Sequence, residues 1–356
     1  MSTASRPAPT KLSELGAGAA RRRSALGLSR RNKISLYVVL IFWTLVVLFP
    51  IYWIATTSLK SPIDVNAGPV YLPGVDYEPT LDAWDWALNT ERNQTRRAFV
   101  NTVVVGVVSA VLTVAVGAAA SYGLSRMRYQ PRLASVAAFI GAGVLAVLLI
   151  VLGMPWPTAL LVWAAVFAAS VATWARRYQF RLTNDDIAFW LISQRILPPI
   201  AIVLPLFVFF QQIDLLDTQL ALIITYVGAN LPIAIWLLRD FFANIPIDLE
   251  EAAAIEGATR FQALRKIILP LAVPGLVATF LFILVFAWNE FLIATVLSSA
   301  NAQTMPLLVV SQNATRGPQW WNMSVLIIIM SVPVIAVAVF LERYIARGLL
   351  VGAVKH

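Results

Sequence analysis

Eight stretches of apolar residues, each about as long as a bilayer crossing requires, alternate along the chain with shorter polar segments. They cover 34–57, 98–122, 133–153, 156–175, 187–211, 218–238, 271–297 and 322–342. The pattern predicts an all-α integral membrane protein whose helices pack as one bundle over 34–356. The third and fourth stretches are joined only by Gly153, Met154 and Pro155, which predicts a tight helical hairpin inside 131–182. Its Ala, Val and Leu content suits contact with lipid better than a polar pathway. Residues 1–33 are polar and small, with basic clusters at Arg21, Arg22, Arg23, Arg30, Arg31 and Lys33, and read as a disordered cytoplasmic tail. A signal peptide is the rival reading, but the first apolar stretch is too long for one and lacks a convincing cleavage site.

Composition narrows the chemistry. The 356 residues are 59% hydrophobic and 13% charged, far from a soluble domain. With no cysteine and a single terminal histidine, His356, no catalytic or metal-binding group is expected. The net charge of +9 is read as topology rather than as nucleic-acid binding. Twenty-one of the 27 Lys and Arg residues fall on one side of the predicted membrane, and Lys60, Arg92, Arg96, Arg97 and Arg316 fall on the other. That bias puts both termini in the cytoplasm and the chain, as a multi-pass protein, in the cell membrane. The remaining one, Arg195, lies inside an apolar stretch and reads as snorkelling to the headgroups.

The external segments are 59–97 and 298–321. In the first, Thr80 to Leu88 reads as a short amphipathic helix at the membrane surface, and the tryptophans of both suit interfacial anchoring. Asn93-Gln94-Thr95 and Asn313-Ala314-Thr315 match a glycosylation pattern that is common by chance.

The cytoplasmic segment 239–270 is too charged to cross a membrane and too helical in pattern to be a plain linker. A first helix is expected from Asp248, capped by that aspartate with Glu251 three residues on. Leu249, Ala252, Ala253 and Glu256 then share a face. Gly257 ends the helix, and a second starts at Thr259 with Gln262 in capping-box position. Phe261, Leu264, Arg265 and Ile268 fall on one stripe, and Pro270 suits the first turn of the next membrane helix. The result is a helix–glycine–helix elbow that can enter a groove on a partner and transmit motion.

This elbow resembles the EAA loop of ABC importer permeases, whose pattern is E-A-A, three residues, G, nine residues, I-x-L-P. Here the anchors are Glu251, Ala252, Ala253, Gly257, Ile267, Leu269 and Pro270. From about Ile192 to His356 the chain is similar to the maltose-type, MalG-like permeases of carbohydrate importers. Leu197-Pro198-Pro199, Leu204-Pro205-Leu206, Trp288-Asn289-Glu290-Phe291 and the ending Arg347-Gly348-Leu349, Gly352-Ala353-Val354-Lys355 carry this likeness. Ser58-Leu59-Lys60 and Tyr122-Gly123-Leu124-Ser125-Arg126 also fit. The resemblance implies a type I importer fold of six core helices, to which the hairpin 131–182 is an insertion, giving about eight transmembrane helices. An even insertion leaves every later helix in its usual orientation.

The resemblance further implies a permease that is not an enzyme and holds no cofactor. ATP and Mg would be used by two copies of a separate ATPase, onto which the elbow docks. A second, MalF-like permease subunit and an extracytoplasmic solute-binding protein would complete the importer. The binding protein would contact a scoop-like loop at 301–321, here represented by Pro306, Gln312, Gly317 and Trp320. Membrane lipid is the other partner, and nucleic acid is not expected.

Asn289 and Glu290, in the seventh stretch, have two readings: a pathway or gate contact, or a structural hydrogen bond. Asn230 and Pro232 interrupt the sixth, as a kink at the pathway or as packing. The solute class implied is a sugar or polyol carried by alternating access; a glycerol-phosphate ester or a polyamine is the alternative. A membrane enzyme would need nucleophiles or metal ligands that the chain lacks. A non-ABC secondary transporter would favour repeats and titratable intramembrane residues, and Glu290 is the only central carboxylate.

Overall fold

The computed structural model describes residues 30–314 and 317–353. The tail up to residue 29, Thr315, Arg316 and residues 354–356 lie outside the described residues, and with them parts of the expected tail, of the second glycosylation pattern and of the C-terminal motif. All eight apolar stretches are helical. Helix α1 (Arg30–Thr57) begins within the segment read as tail. After it follow α2 (Pro62–Ala67), α3 (Asp82–Asp85) and a π-helical turn (Trp86–Thr90). Next come α4 (Arg92–Arg126), the hairpin α5 (Leu133–Val151) and α6 (Trp156–Ala172), α7 (Asn184–Ser193) with a 3-10 turn to Ile196, and α8 (Pro199–Gln212). Then come α9 (Gln219–Ala243), α10 (Asp248–Ile255), α11 (Arg260–Ala263), a π-helical turn (Leu264–Ile268) and α12 (Leu269–Trp288). The chain ends with α13 (Leu292–Leu297), α14 (Met305–Ser311), a two-residue ribbon of β1 (Asn313–Ala314) and β2 (Gly317–Pro318), and α15 (Trp320–Ala353).

Among the described residues, six helices are long and apolar enough to cross a membrane, and seven if a bent pair counts as one span. The pair is Asn184–Ile196 with Pro199–Gln212, bent by 87° where the sequence pattern suggested one straight stretch. The cause is local. A residue before proline is pushed out of the α region, and Leu197 and Pro198 both adopt extended backbone, with ψ of 132° and 131°. The seventh stretch is also interrupted: α12 stops at Trp288 and α13 starts at Leu292. Helix α6 has 17 residues, or roughly 25 Å of rise, a little under the hydrocarbon thickness.

Helix α4 is the spine, packed along α9 and α12, with α15 against α12. Small residues let these helices approach, as expected where lipid gives no hydrophobic drive to helix association. A Cβ on Gly106 would lie 3.3 Å from the Trp288 ring, and one on Gly275 would run into the Phe241 ring. Trp288 in turn donates its indole N–H to the carbonyl of Met330, 3.0 Å away, tying α12 to α15. The helix at 82–90 packs onto the bundle. Ala83 and Ala87 are buried against Val325 of α15.

Helix α1 is exposed from residue 31 to residue 53, its main helix partner is α15, and Thr56 and Thr57 at its end are buried. Its C-terminal end is held firmly: Lys60 is buried, donates to the Val70 carbonyl at 2.7 Å and sits 4.4 Å from the Trp53 ring. The hairpin α5–α6 packs on itself, through Ala134, Ala138, Ala142 and Ala146, with no substantial contact to a core helix.

One clasp between loops was not apparent from sequence. Asp217, between α8 and α9, has φ of +57° and points its carboxylate at the segment after α13. It accepts backbone N–H bonds from Ser299 (2.8 Å), Asn301 (2.9 Å) and Ala302 (2.9 Å). Burial pushes its pKa up, but the N–H donors of Ala302, Ser299 and Asn301 outweigh that and hold it down at about 2. A depressed pKa stabilises the fold above the ordinary aspartate value near 4 and is lost as pH falls toward 2. Asp217→Ala is therefore expected to lower thermal stability at pH 6 by about 1 kcal/mol after solvent screening, and to flatten the loss of stability between pH 4 and 2. Melting of the detergent-solubilised chain across that range checks it.

Candidate coupling elbow and membrane cavity

The elbow forms as a bent unit at one end of the bundle, with one change at its start. Helix α10 begins at Asp248, but Ile247 is the N-cap and no side chain caps it. Asp248 is thus the first residue of the helix rather than its cap, where its charge still favours the positive helix end. The helix ends as expected. Gly257 has φ of +81°, and the N–H groups of Gly257 and Ala258 bond back to Ala254 and Ala253 at 3.0 and 2.9 Å. Thr259 and Gln262 form the reciprocal capping box, at 2.8 and 3.3 Å. Pro270 lies in the first turn of α12.

The seven motif residues divide by burial. Ala253 is buried, Ile267 and Leu269 are half-buried, and Glu251, Ala252, Gly257 and Pro270 are exposed. The Glu251 carboxylate has no partner among the described residues. The stripe expected for Phe261, Leu264, Arg265 and Ile268 splits: Ile268 is fully buried while Phe261 is 68% exposed. The π-turn at Leu264–Ile268 shifts the helical phase between them. Ile255 is 86% exposed and Ile247 is also exposed, so the outer side of a charged loop carries large apolar side chains.

What holds the elbow is Glu250, not the motif's Glu251. Its Oε1 pairs with Arg126 Nε at 2.6 Å and its Oε2 accepts from the Tyr122 hydroxyl at 2.8 Å. Arg126 also donates to the Ile245 carbonyl at 2.6 Å. Both partners of the pair are largely buried, with side chains 10% and 17% exposed. The elbow is therefore clamped to the end of α4, the bundle's spine. Glu250 carries no sequence signal of its own beside Glu251, and Arg126 is 124 residues away.

A second feature lies within the bundle. A cavity of about 400 Å³ opens at the bend between α7 and α8, lined by Gln194, Arg195, Pro199, Gly228, Pro232 and Ile293 among others. Pro232 leaves the Gly228 carbonyl without its helical N–H donor, and both residues border this cavity. Arg195 does not reach out to the headgroups as its position suggested. It donates to Asn230 Oδ1 at 3.0 Å and lies 5.4 Å from the Phe286 ring. Asn230 is buried and donates to the Tyr226 carbonyl at 2.9 Å; the Tyr226 hydroxyl donates to the Glu290 carbonyl at 3.3 Å. Arg195, Asn230, Tyr226 and Glu290 thus form one connected chain. Glu290 is not inside a helix: it sits at the α12–α13 break and accepts the Ile293 N–H at 2.9 Å, which caps α13. Asn289 donates to Val285 of its own helix at 2.8 Å.

At the other end of the bundle, Pro306 is buried in the first turn of α14. Gln312 ends α14, Gly317 takes φ of +89° in the short ribbon, and Trp320 is 51% exposed at the start of α15. The Gln319 N–H bonds to the Gln312 carbonyl at 3.2 Å, which brings Gln312 and Trp320 close.

The helical bundle thus carries a clamped elbow at one end and a cavity at a broken helix. The family of binding-protein-dependent transport system inner membrane components matches residues 162–351. The chain belongs to this family and is an ABC transporter permease subunit. It is 30% identical to the trehalose transport system permease protein SugB of Mycobacterium tuberculosis, over 86% of this chain and 92% of that one. It is 30% identical to the probable ABC transporter permease protein y4oR of Sinorhizobium fredii, over 88% and 94%. It is 28% identical to the diacetylchitobiose uptake system permease protein DasC of Streptomyces coelicolor, over 86% and 91%. The fold is that of a chain in a bacterial ABC transporter involved in importing the acidic polysaccharide alginate, with TM-score 0.58 and 22% identity over 89% of this chain and 98% of that one. The family match begins within α6, the second helix of the hairpin.

Proposed function

We propose that this chain is the permease of a sugar or polyol importer and that its elbow, from Glu251 to Gly257, docks into a cleft on a separate ATPase subunit at the cytoplasmic face. The observation that carries the reading is the combination of an exposed apolar surface, Ile255 and Phe261, with a buried clamp, Glu250–Arg126, behind it. Such a surface has a use only against a partner, and such a clamp transmits what the partner does. Relatives named for trehalose and diacetylchitobiose uptake support a carbohydrate solute.

In this reading two ATPase copies bind ATP and Mg, and a second permease subunit faces the cavity at the α7–α8 bend. ATP binding closes the ATPases, the elbows move with them, and the bundle alternates between outward and inward access. Arg195 and Asn230 line the solute path, with Asn289 and Glu290 at its outer gate. An external binding protein delivers solute to the surface formed by Gln312, Gly317 and Trp320, which buried Pro306 supports from within. Both termini are cytoplasmic. A tagged full chain expressed with its genomic neighbours is expected to co-purify with an ATPase and to support uptake of a sugar or polyol. Recovery without any ATPase would overturn the reading.

A further inference from the structure

The neck of the inserted hairpin is built in a way that the importer reading leaves unexplained. Its two sides meet as a short antiparallel bridge, Arg132 opposite Arg181. The flanking hydrogen bonds run from Leu133 N to the Phe180 carbonyl (3.0 Å) and from Leu182 N to the Pro131 carbonyl (2.9 Å). This makes Arg132 and Arg181 a non-hydrogen-bonded pair, the kind in which facing Cα atoms are closest, about 4.5 Å apart. Two like charges directly opposite each other are destabilising. Arg128, Arg176 and Arg177 lie in the same two segments. Among the described residues, none of these five arginines makes an ion pair. The nearest acids in sequence are committed elsewhere: Asp185 pairs with Arg239, and Asp186 caps α7 through Thr183.

Two further features define what would neutralise this charge. The helices above the neck pack substantially only on each other, which leaves their outer faces open to lipid. Tyr129, Trp174, Tyr178 and Phe180 at the neck are exposed, and such rings favour the headgroup level of a bilayer. The neck is also fixed in place: Asn184 accepts from Tyr129 N (3.0 Å) and donates to the carbonyls of Leu124 and Met127 (2.7 and 2.6 Å). It therefore sits at the elbow's end of the molecule, beside Arg126.

We propose that Arg132 and Arg181, with Arg128, Arg176 and Arg177 around them, bind the phosphate headgroup of an anionic phospholipid, whose acyl chains lie along α5 and α6. The phosphate bridges the two facing guanidiniums, each of which can donate two N–H bonds to it. The inserted hairpin thereby anchors the permease in an acidic leaflet next to the coupling elbow. This placement depends on which end of the bundle carries the neck and not on the solute or the ATPase.

The test is native mass spectrometry of the full chain in detergent, titrated with phosphatidylglycerol or phosphatidylcholine, with melting curves as the check on folding. Wild type is expected to retain phosphatidylglycerol in preference to phosphatidylcholine. The double variant Arg132→Gln with Arg181→Gln is expected to bind phosphatidylglycerol roughly tenfold more weakly or worse, with phosphatidylcholine unchanged. Replacing both by lysine, which keeps the charge and spares the backbone bridge, is expected to retain most of the preference and covers a glutamine variant that does not fold. Arg92→Gln with Arg96→Gln, two exposed arginines at the far end of α4, is expected to change nothing. The proposal is overturned if the neck variants retain phosphatidylglycerol like wild type, if the far-end variant loses as much, or if inorganic phosphate displaces the lipid, which would make this a free-oxyanion site.

Discussion

Glu250→Ala is expected to destabilise the chain by about 3 kcal/mol and to abolish solute uptake, while its neighbour Glu251→Ala leaves stability within about 0.5 kcal/mol. The asymmetry follows from burial. Removing Glu250 leaves the Arg126 guanidinium, 10% exposed, with only the Ile245 carbonyl, and leaves the Tyr122 hydroxyl without its acceptor. An uncompensated buried charge costs far more than the net value of the intact pair. Glu251 is exposed and has no partner among the described residues, so its loss spares the fold and acts only through the proposed docking. Arg126→Ala should cost a similar amount, and the double variant distinctly less than the sum of the two. Thermal melts of the four proteins in detergent check the stability side, and uptake into intact cells checks the other.

The second large effect is expected at Gly257. A Cβ there would meet no atom within 4 Å, so the penalty is purely conformational: the backbone sits at φ of +81°, a region that costs other residues roughly 1–2 kcal/mol. Because the elbow is exposed at this point, Gly257→Val relieves the strain by re-aiming α10 relative to α11 rather than by unfolding. Uptake is expected to fall tenfold or more, with melting temperature and membrane level near wild type. Gly257→Asn, which tolerates this conformation, should retain most of the uptake. Equal loss in both variants would show that side-chain volume, not backbone geometry, is what the elbow cannot accept.

The apolar stretches were legible because a bilayer imposes a length on each of them, and the elbow was legible because glycine and the Thr259–Gln262 cap punctuate it. Breaks inside apolar runs were not. Nothing in hydrophobicity separates a straight span from the 87° bend at Leu197–Pro199 or from the stop at Trp288. Roles set by distant partners were also hidden. Asp217 is one aspartate in a loop until its carboxylate is seen to collect N–H groups more than 80 residues away. Glu250 and Glu251 are chemically identical neighbours, and only the position of Arg126 distinguishes clamp from free side chain. Arg195 looked like a headgroup contact because sequence supplies depth in the membrane but not the presence of Asn230 beside it. Asp248 missed the cap by one residue, the usual margin for a helix end.

The proposed coupling requires the elbow to sit in a groove of an ATPase. Since the chain contains no cysteine, Ala252→Cys introduces its sole thiol, on an exposed face of α10. In the assembled importer that thiol should cross-link to cysteines placed along one cleft of the ATPase, and the pattern of linked positions should shift when ATP is bound and hydrolysis is blocked. A thiol that stays freely reactive to a water-soluble maleimide in the assembled importer, with no cross-link in either nucleotide state, would contradict it.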